Sequence, residues 1–230
     1  DSDTAMGAHS LAAALHAAGA NVQAVDLVLQ GDIRQAFCAV RPPGHHAEKG
    51  RAMGFCIFNN VAVGAAHALA THGLERVAIV DFDVHHGNGT EDIFSGDERV
   101  LFCSAFQHPF YPHSGADSTA ANVINCPLPA GTGGAAFREA VEGRWLPALE
   151  RFAPQLILIS AGFDGHAEDD MGQWLLTEAD YAWVTHRLAQ VAERHAEGRM
   201  VSTLEGGYEL NATARSVSAH IKAFLGDHHH

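Results

Sequence analysis

Residues 79–90 read IVDFDVHHGNGT. An apolar run rises to Val80; Asp81, Asp83, His85 and His86 then fall within six residues, and glycines follow. Carboxylates and imidazoles at the end of a buried strand are costly unless something compensates them. Asp83 and His85 stand two apart, so in extended backbone their side chains leave the same face. A carboxylate and an imidazole on one face form a plausible pair of metal ligands. Either a metal compensates this cluster, or Asp83 merely caps a loop and His85 is a satisfied surface histidine.

The surrounding sequence decides the fold class. RVAIVDF (76–82) reads as a strand, and so do AFCAV (36–40), VLFCSA (100–105), QLILIS (155–160) and RMVSTLE (199–205). Helical patterns separate them: 8–18 closing on Gly19, 21–30, 59–71 with Asn59 or Asn60 as N-cap, 133–152 with Pro147 as a kink or break, 176–198 capped by Thr177, and 212–226. Short, nearly continuous apolar strands alternating with helices imply an α/β fold: a mainly parallel central sheet covered on both faces, in three layers. The reading is one domain over residues 1–227.

Open α/β sheets place function in the loops past the carboxyl ends of their strands. Four such loops concentrate Gly, His and Asp: RPPGHHAEKGRAMGF, DFDVHHGNG, AGFDGH and LEGGYEL. They are expected to meet on one rim. There Asp164 supplies a third ligand to Asp83 and His85, an N/O set without sulfur that suits zinc or another borderline divalent ion with a position open for water. His45 and His46 follow a Pro-Pro-Gly turn, and a histidine beside a carboxylate becomes a stronger base. Tyr208 follows a Gly-Gly pair, where a phenol can donate to an oxyanion. Phe55, after Met53-Gly54, and Tyr111 are placed to line an apolar channel.

Composition narrows the function classes. Of 230 residues, 47% are hydrophobic and 18% charged, which excludes a disordered chain. Twenty-seven acidic against 14 basic side chains leave a formal charge of −13, the reverse of a nucleic-acid binder and suited to cationic partners. No membrane span and no signal peptide are read from the hydropathy. Cys38, Cys56, Cys103 and Cys126 sit in apolar stretches without a C-x-x-C pair, so reduced thiols and a cytoplasmic location are expected. A homo-oligomer is compatible with the sequence. DSDTAMGAHS reads as a loop entering a helix, so an upstream segment is expected, and His228–His230 read as a tag remnant.

RPPGHHAE, GFCIFNN, VDFDVHHGNGT, ISAGFDGH and LEGGY, in this order and spacing, closely resemble the zinc-dependent histone deacetylase superfamily. The likeness is greatest to its class II branch and to the bacterial histone deacetylase-like amidohydrolases. The resemblance implies an arginase-like fold with eight parallel strands at full length. It implies that Asp83, His85 and Asp164 hold zinc, with iron(II) as the alternative ion. It makes His46 the general base and then general acid for a metal-activated water, with His45 beside it and Asp81 hydrogen-bonded to His45. Asn88 orients His46, and an Asn at this place points to class II. Tyr208 polarises the amide carbonyl. Gly54, Phe55, Tyr111 and Met171 border the acyl-lysine channel, and Asp1 or Asp3 is the candidate for the family's acidic rim residue. Ser104, with main-chain oxygens around Asp81, Asp83 and His85, matches a structural potassium site.

The expected reaction is hydrolysis of an acetyl or related acyl group from Nε-acyl-lysine in a peptide or protein, or from a similar N-acyl amine. Met171, standing where some polyamine-selective members carry a glutamate, leans the reading towards acyl-lysine. An acetylpolyamine amidohydrolase is the near alternative, and a non-catalytic acyl-amine-binding module is the distant one. A binuclear manganese ureohydrolase needs a further bridging carboxylate, and Asn88 stands where it would be.

Overall fold

A computed structural model describes residues 1–226; the His228–His230 reading lies outside the described residues. The chain runs α1 (Ser10–Gln30), β1 (Gln35–Cys38), α2 (Asn60–Thr71), β2 (Val77–Asp81), α3 (Asn88–Phe94), β3 (Val100–Gln107), β4 (Val123–Leu128), α4 (Gly134–Ala140), a π-helical turn (Val141–Trp145), α5 (Leu146–Phe152), β5 (Leu156–Ala161), α6 (Glu178–His195), β6 (Met200–Leu204) and α7 (Leu210–Phe224). The strands form one all-parallel sheet in the order β1-β6-β5-β2-β3-β4. The described residues supply six strands of the eight expected at full length.

Every residue of β2, β3 and β5 is buried, as strands covered on both faces require. The two-residue alternation sorts their side chains into two cores. Ala78, Val80, Ile157 and Ile159 pack under α4–α7 with Phe137, Trp145, Leu149, Tyr181 and Leu188. Val77, Ile79, Leu156 and Leu158 pack under α1–α3 with Val25, Val28, Val61, Ala65 and Phe94. The result is the three-layer α/β arrangement expected. Each fully buried Ile or Leu contributes roughly 1.5–3 kcal/mol, so a charged side chain at Ile79 would break both the transfer gain and the layer contact.

Helix ends follow their capping chemistry. The Asn59 side chain accepts from Ala62 N at 3.1 Å to start α2. Thr177 and Asp180 form a reciprocal capping box on α6. Gly31, at φ 87°, closes α1 in the left-handed conformation.

Three expectations need correction. The predicted helices 8–18 and 21–30 are one helix, α1, running through Gly19; its buried stripe of Ala14, Ala17, Asn21, Val25 and Val28 continues without a break. At 21 residues α1 is also long and apolar enough to cross a membrane by length and composition, which the hydropathy reading missed. Its apolar stripe faces α2 and the sheet, and Asn21 Oδ1 within it accepts from Thr203 Oγ1 at 2.7 Å. Third, the predicted 133–152 helix divides into α4 and α5 through the π turn, which absorbs Pro147 at the start of α5.

The connectivity places the site. From β2 the chain moves outward to β3 and β4, then returns to β5 and goes the other way to β6. The carboxyl ends of β2 and β5 therefore flank a switch point, the place where an open α/β sheet leaves a crevice.

Candidate active site

Asp81 is the last residue of β2, and Asp83 and His85 follow it; Asp164 follows β5 on the neighbouring strand. The Asp83 carboxylate, the His85 imidazole and the Asp164 carboxylate each offer a ligand atom, all within 4.8 Å of one another, and all three residues are buried. His85 Nδ1 lies 3.1 Å from Asp83 Oδ1 and 3.1 Å from Asp164 Oδ2. Backbone amides fix the outer lone pairs: Gly206 N donates to Asp83 Oδ2 at 2.8 Å, and Val84 N to Asp164 Oδ1 at 3.0 Å. Each carboxylate thus keeps one oxygen turned inward.

Electrostatics describe a cluster that wants a cation. Burial works against charge on Asp83, but His45 and His85 outweigh it and hold the carboxyl well below its usual range. Burial, reinforced by Asp83, pushes Asp164 up to about 6. Burial opposes charge on His85, yet Asp164 and Asp83 raise it to about 10. Two buried acids and one imidazole, with inward lone pairs, fit a borderline dication by donor type and charge.

Two histidines adjoin the cluster and differ sharply. His45 Nδ1 lies 2.8 Å from Asp81 Oδ2. Burial disfavours the His45 charge, but Asp81 and Asp83 hold its imidazolium well above the ordinary histidine value. His46 Nδ1 lies 2.7 Å from Asn88 Oδ1, while Asn88 Nδ2 donates to Glu48 Oε1 at 2.7 Å. The amide's orientation therefore makes Nδ1 of His46 the protonated nitrogen and leaves Nε2 with its lone pair. Burial and the neighbouring His45 drive His46 well below the usual value, so it stays neutral.

Around them lies a cavity of about 290 Å³, with His45, His46, Asp83 and His85 in its lining. Gly54, Phe55, Tyr111, Met171 and Tyr208 line it too, as do Asp3 and Asp170. Phe55 and Tyr208 meet edge-to-face, ring centroids 6.0 Å apart. Burial, then Asp164 and Asp83, raise the Tyr208 phenol, so it remains a donor. Tyr111 Oη donates to Asp1 Oδ2 at 3.0 Å. Asn88 and Asp81 stand behind the two histidines. Ser104, aligned with Asp81 across β2 and β3, has a buried hydroxyl with no hydrogen-bond partner, which fits a cation ligand.

Glycine is required where backbone passes the reacting groups. A Cβ on Gly54, at φ 57°, would stand 2.4 Å from His46 Cδ2. One on Gly206 would stand 2.0 Å from Asp164 Oδ2.

Sequence reasoning missed two participants. Phe110, beside the chosen Tyr111, stacks on His85 at 5.3 Å with planes 17° apart. Glu205 is fully buried and accepts from Gly44 N at 2.7 Å, His45 N at 3.1 Å and Ser160 Oγ at 2.9 Å. It clamps the histidine loop onto β5 and β6, and burial pushes its carboxyl up to about 7. An acid ending an apolar strand in LEGGY was the available signal, the same signal that marked Asp81.

A parallel α/β sheet with an acid–imidazole cluster at its switch point defines a protein that works at the carboxyl edge of its strands. The histone deacetylase domain model matches residues 1–224, and the chain belongs to that family. It is 42% identical over 213 residues to the histone deacetylase-like amidohydrolase of Pseudomonas aeruginosa, covering 90% of this chain and 56% of that one. It is 43% identical over 223 residues to the polyamine deacetylase HDAC10 of Mus musculus, covering 92% of this chain and 33% of that one. The crystal structure of the HDA15 HD domain superposes with a TM-score of 0.94 at 39% identity, covering 99% of this chain and 66% of that one. The chain thus spans only part of the length of each of these relatives.

Proposed function

We propose that this chain is a zinc-dependent deacetylase that releases acetyl or a related acyl group from Nε-acyl-lysine or a similar N-acyl amine. The observation that carries this reading is His46, its Nδ1 held by Asn88 Oδ1, in the wall of the same cavity as Asp83, His85 and Tyr208. Asp83, His85 and Asp164 would hold the zinc, with iron(II) as the alternative. Bound there, the ion supplies Lewis acidity that acidifies water and polarises the acyl carbonyl. His46 Nε2 takes the proton of the attacking water, while Asn88 keeps Nδ1–H in place. The same nitrogen later delivers that proton to the departing amine. Tyr208 donates its phenolic hydrogen to the carbonyl oxygen as charge gathers there. His45, held by Asp81, keeps a positive charge beside His46 and so keeps His46 unprotonated; a cation at the cluster adds to that effect. Phe55, Phe110 and Met171 enclose an aliphatic stem and exclude water from it. Ser104 would help hold a structural potassium ion, its unpaired hydroxyl supporting that assignment.

Asp3 and Asp170, exposed acids in the cavity lining, favour a second substrate reading, because negative charge there attracts an amine distal to the acyl group. By that reading the chain hydrolyses acetylpolyamines, a reading also supported by its likeness to the mouse polyamine deacetylase. Acetate release from zinc-loaded protein is to be measured with an acetyl-lysine peptide and with acetylputrescine. Hydrolysis of the peptide, lost in Asp164→Asn, supports the first reading. Faster turnover of acetylputrescine selects the second, and peptide binding without acetate from either compound refutes both.

A further inference from the structure

The far end of α2 carries a second cluster that this chemistry does not use. Helix α2 begins at the histidine loop, where Asn59 Nδ2 donates to Ala47 O at 3.3 Å and Asn60 Nδ2 to Pro42 O at 3.1 Å. Its other end is about 18 Å away, given 12 residues at roughly 1.5 Å rise each. There His67 and the C-cap residue His72 both turn towards Asp26 of α1. Asp26 Oδ1 lies 2.6 Å from His67 Nε2 and 2.6 Å from His72 Nε2. The two rings sit edge to face, centroids 5.4 Å apart and planes 79° apart. One ligand atom from each of the three residues falls within 4.8 Å of the others.

At 2.6 Å each imidazole Nε2–H donates to Asp26 Oδ1 when no ion is held, and several features would let a metal take the place of those protons. Both imidazoles present the same nitrogen, Nε2, to one point. Thr71 Oγ1 lies 3.2 Å from His67 Nδ1, so it can accept Nδ1–H once an ion displaces the Nε2 proton and takes up that lone pair. The side chains are 35% (Asp26), 21% (His67) and 19% (His72) exposed, which lets an ion enter from solvent and keep water as a further ligand. Two imidazoles and one carboxylate match zinc, nickel or cobalt(II) and not calcium or magnesium.

We propose that Asp26, His67 and His72 form a second site for a borderline divalent ion, one that staples α1 to α2. The helices it joins meet largely through small side chains: Ala24, Val25 and Val28 face Val61, Ala65 and Ala68. A shared ion there adds a cross-link that such packing lacks. Ion binding to the folded form alone raises the unfolding temperature by mass action.

The test uses the full chain already holding one zinc equivalent, with the C-terminal histidines common to all variants. Wild type is compared with His72→Gln and Asp26→Asn during titration with zinc chloride. The expected result is one further equivalent bound by wild type, at least tenfold weaker in either variant, and a zinc-dependent rise in unfolding midpoint in wild type only. Acetate release per active-site zinc is expected to stay unchanged in His72→Gln, which separates this site from the active site. Imidazole nitrogen shifts of wild-type His67 and His72 on adding the second equivalent provide a readout that needs no variant. Equal zinc uptake by the three proteins, or unshifted His67 and His72 resonances, overturns the proposal.

Discussion

The side-chain amide of Asn88 holds Nδ1 of His46 at 2.7 Å, and Glu48 in turn holds the other end of that amide at 2.7 Å. This chain of two bonds determines which imidazole nitrogen faces the cavity. Asn88→Ala removes the acceptor and frees the ring to take the wrong tautomer. The expected loss in kcat/KM is roughly 10²-fold, with zinc content unchanged. Asn88→Asp adds a negative charge beside His46 and raises its pKa. Because the reaction needs neutral His46, the acid limb of the kcat/KM profile moves to higher pH. A limb that stays in place in the Asp variant would exclude His46 as the base.

Tyr208→Phe removes one donor to the developing oxyanion and leaves the ring that borders Phe55. A fall of about 10²–10³-fold in kcat with little change in KM is expected. Steady-state kinetics on an acetyl-lysine peptide check this, and an unchanged kcat would take the phenol out of the chemistry.

Gly206→Ala places a methyl group 2.0 Å from Asp164 Oδ2 and 2.6 Å from Asp83 Oδ2. The two carboxylates must separate or turn. Zinc retention after dialysis is expected to drop at least tenfold while the far-ultraviolet circular dichroism stays near wild type. Full zinc content in this variant would show that the carboxylates are not held where the ion needs them.

His220 is fully buried on α7. The Thr185 hydroxyl donates to Tyr181 O at 2.6 Å, so it accepts from His220 Nδ1, 2.5 Å away; Ser202 then donates to Nε2 at 2.8 Å. Burial lowers its pKa from 6.5 to about 3. The folded state therefore resists a proton that the unfolded state accepts below pH 6.5. This contribution is fully present above pH 6.5 and declines as pH falls from 6.5 towards about 3, with a ceiling of a few kcal/mol. Urea midpoints of wild type and His220→Gln should converge as pH falls across that window. A constant difference between them contradicts the assignment.

Met171→Glu introduces a third acid beside Asp170 at the cavity. If acyl-lysine is the present preference, the variant should raise the ratio of acetylputrescine to acetyl-lysine turnover about tenfold, equivalent to about 1.4 kcal/mol of differential attraction. Paired kcat/KM measurements decide it, and an unchanged ratio removes this position from selectivity.

The elements that could be read in advance are those with a strong apolar pattern, and the clearest are the strands whose burial is complete. The strands β2, β3 and β5, buried at every position, and their alternation with helices were legible, and so were the four loops beyond them. β4 was not: VINCPL is an edge strand, half-exposed, and it carries Pro127, which a central strand would reject. α3 was hidden because it starts inside HHGNG, where two glycines read as loop. In fact a Cβ at Gly89 would meet Ala47 O at 2.2 Å, so that glycine lets α3 close on the histidine loop. Gly19 misled in the other direction: nothing lies within 4 Å of a Cβ there, so it interrupts no packing and ends no helix. At the site, ligand-type residues at strand ends were visible in sequence. Glu205 carried the same strand-end signal, but its hydrogen-bond partners, like the ring that Phe110 stacks on, are distant in the chain and leave no trace in sequence proximity.

Glu205 ties the loop bearing His45 and His46 to β5 and β6, strands that follow it far along the chain, from Leu156 and from Met200. The proposed base is therefore held in place only once β5 and β6 have joined the sheet. On a ribosome, the histidines would emerge well before the strands that fix their loop. On the proposed reading, hydrolytic competence then waits on the segment from β5 to Glu205, although every side chain at the centre of the chemistry save Asp164 and Tyr208 lies upstream of it.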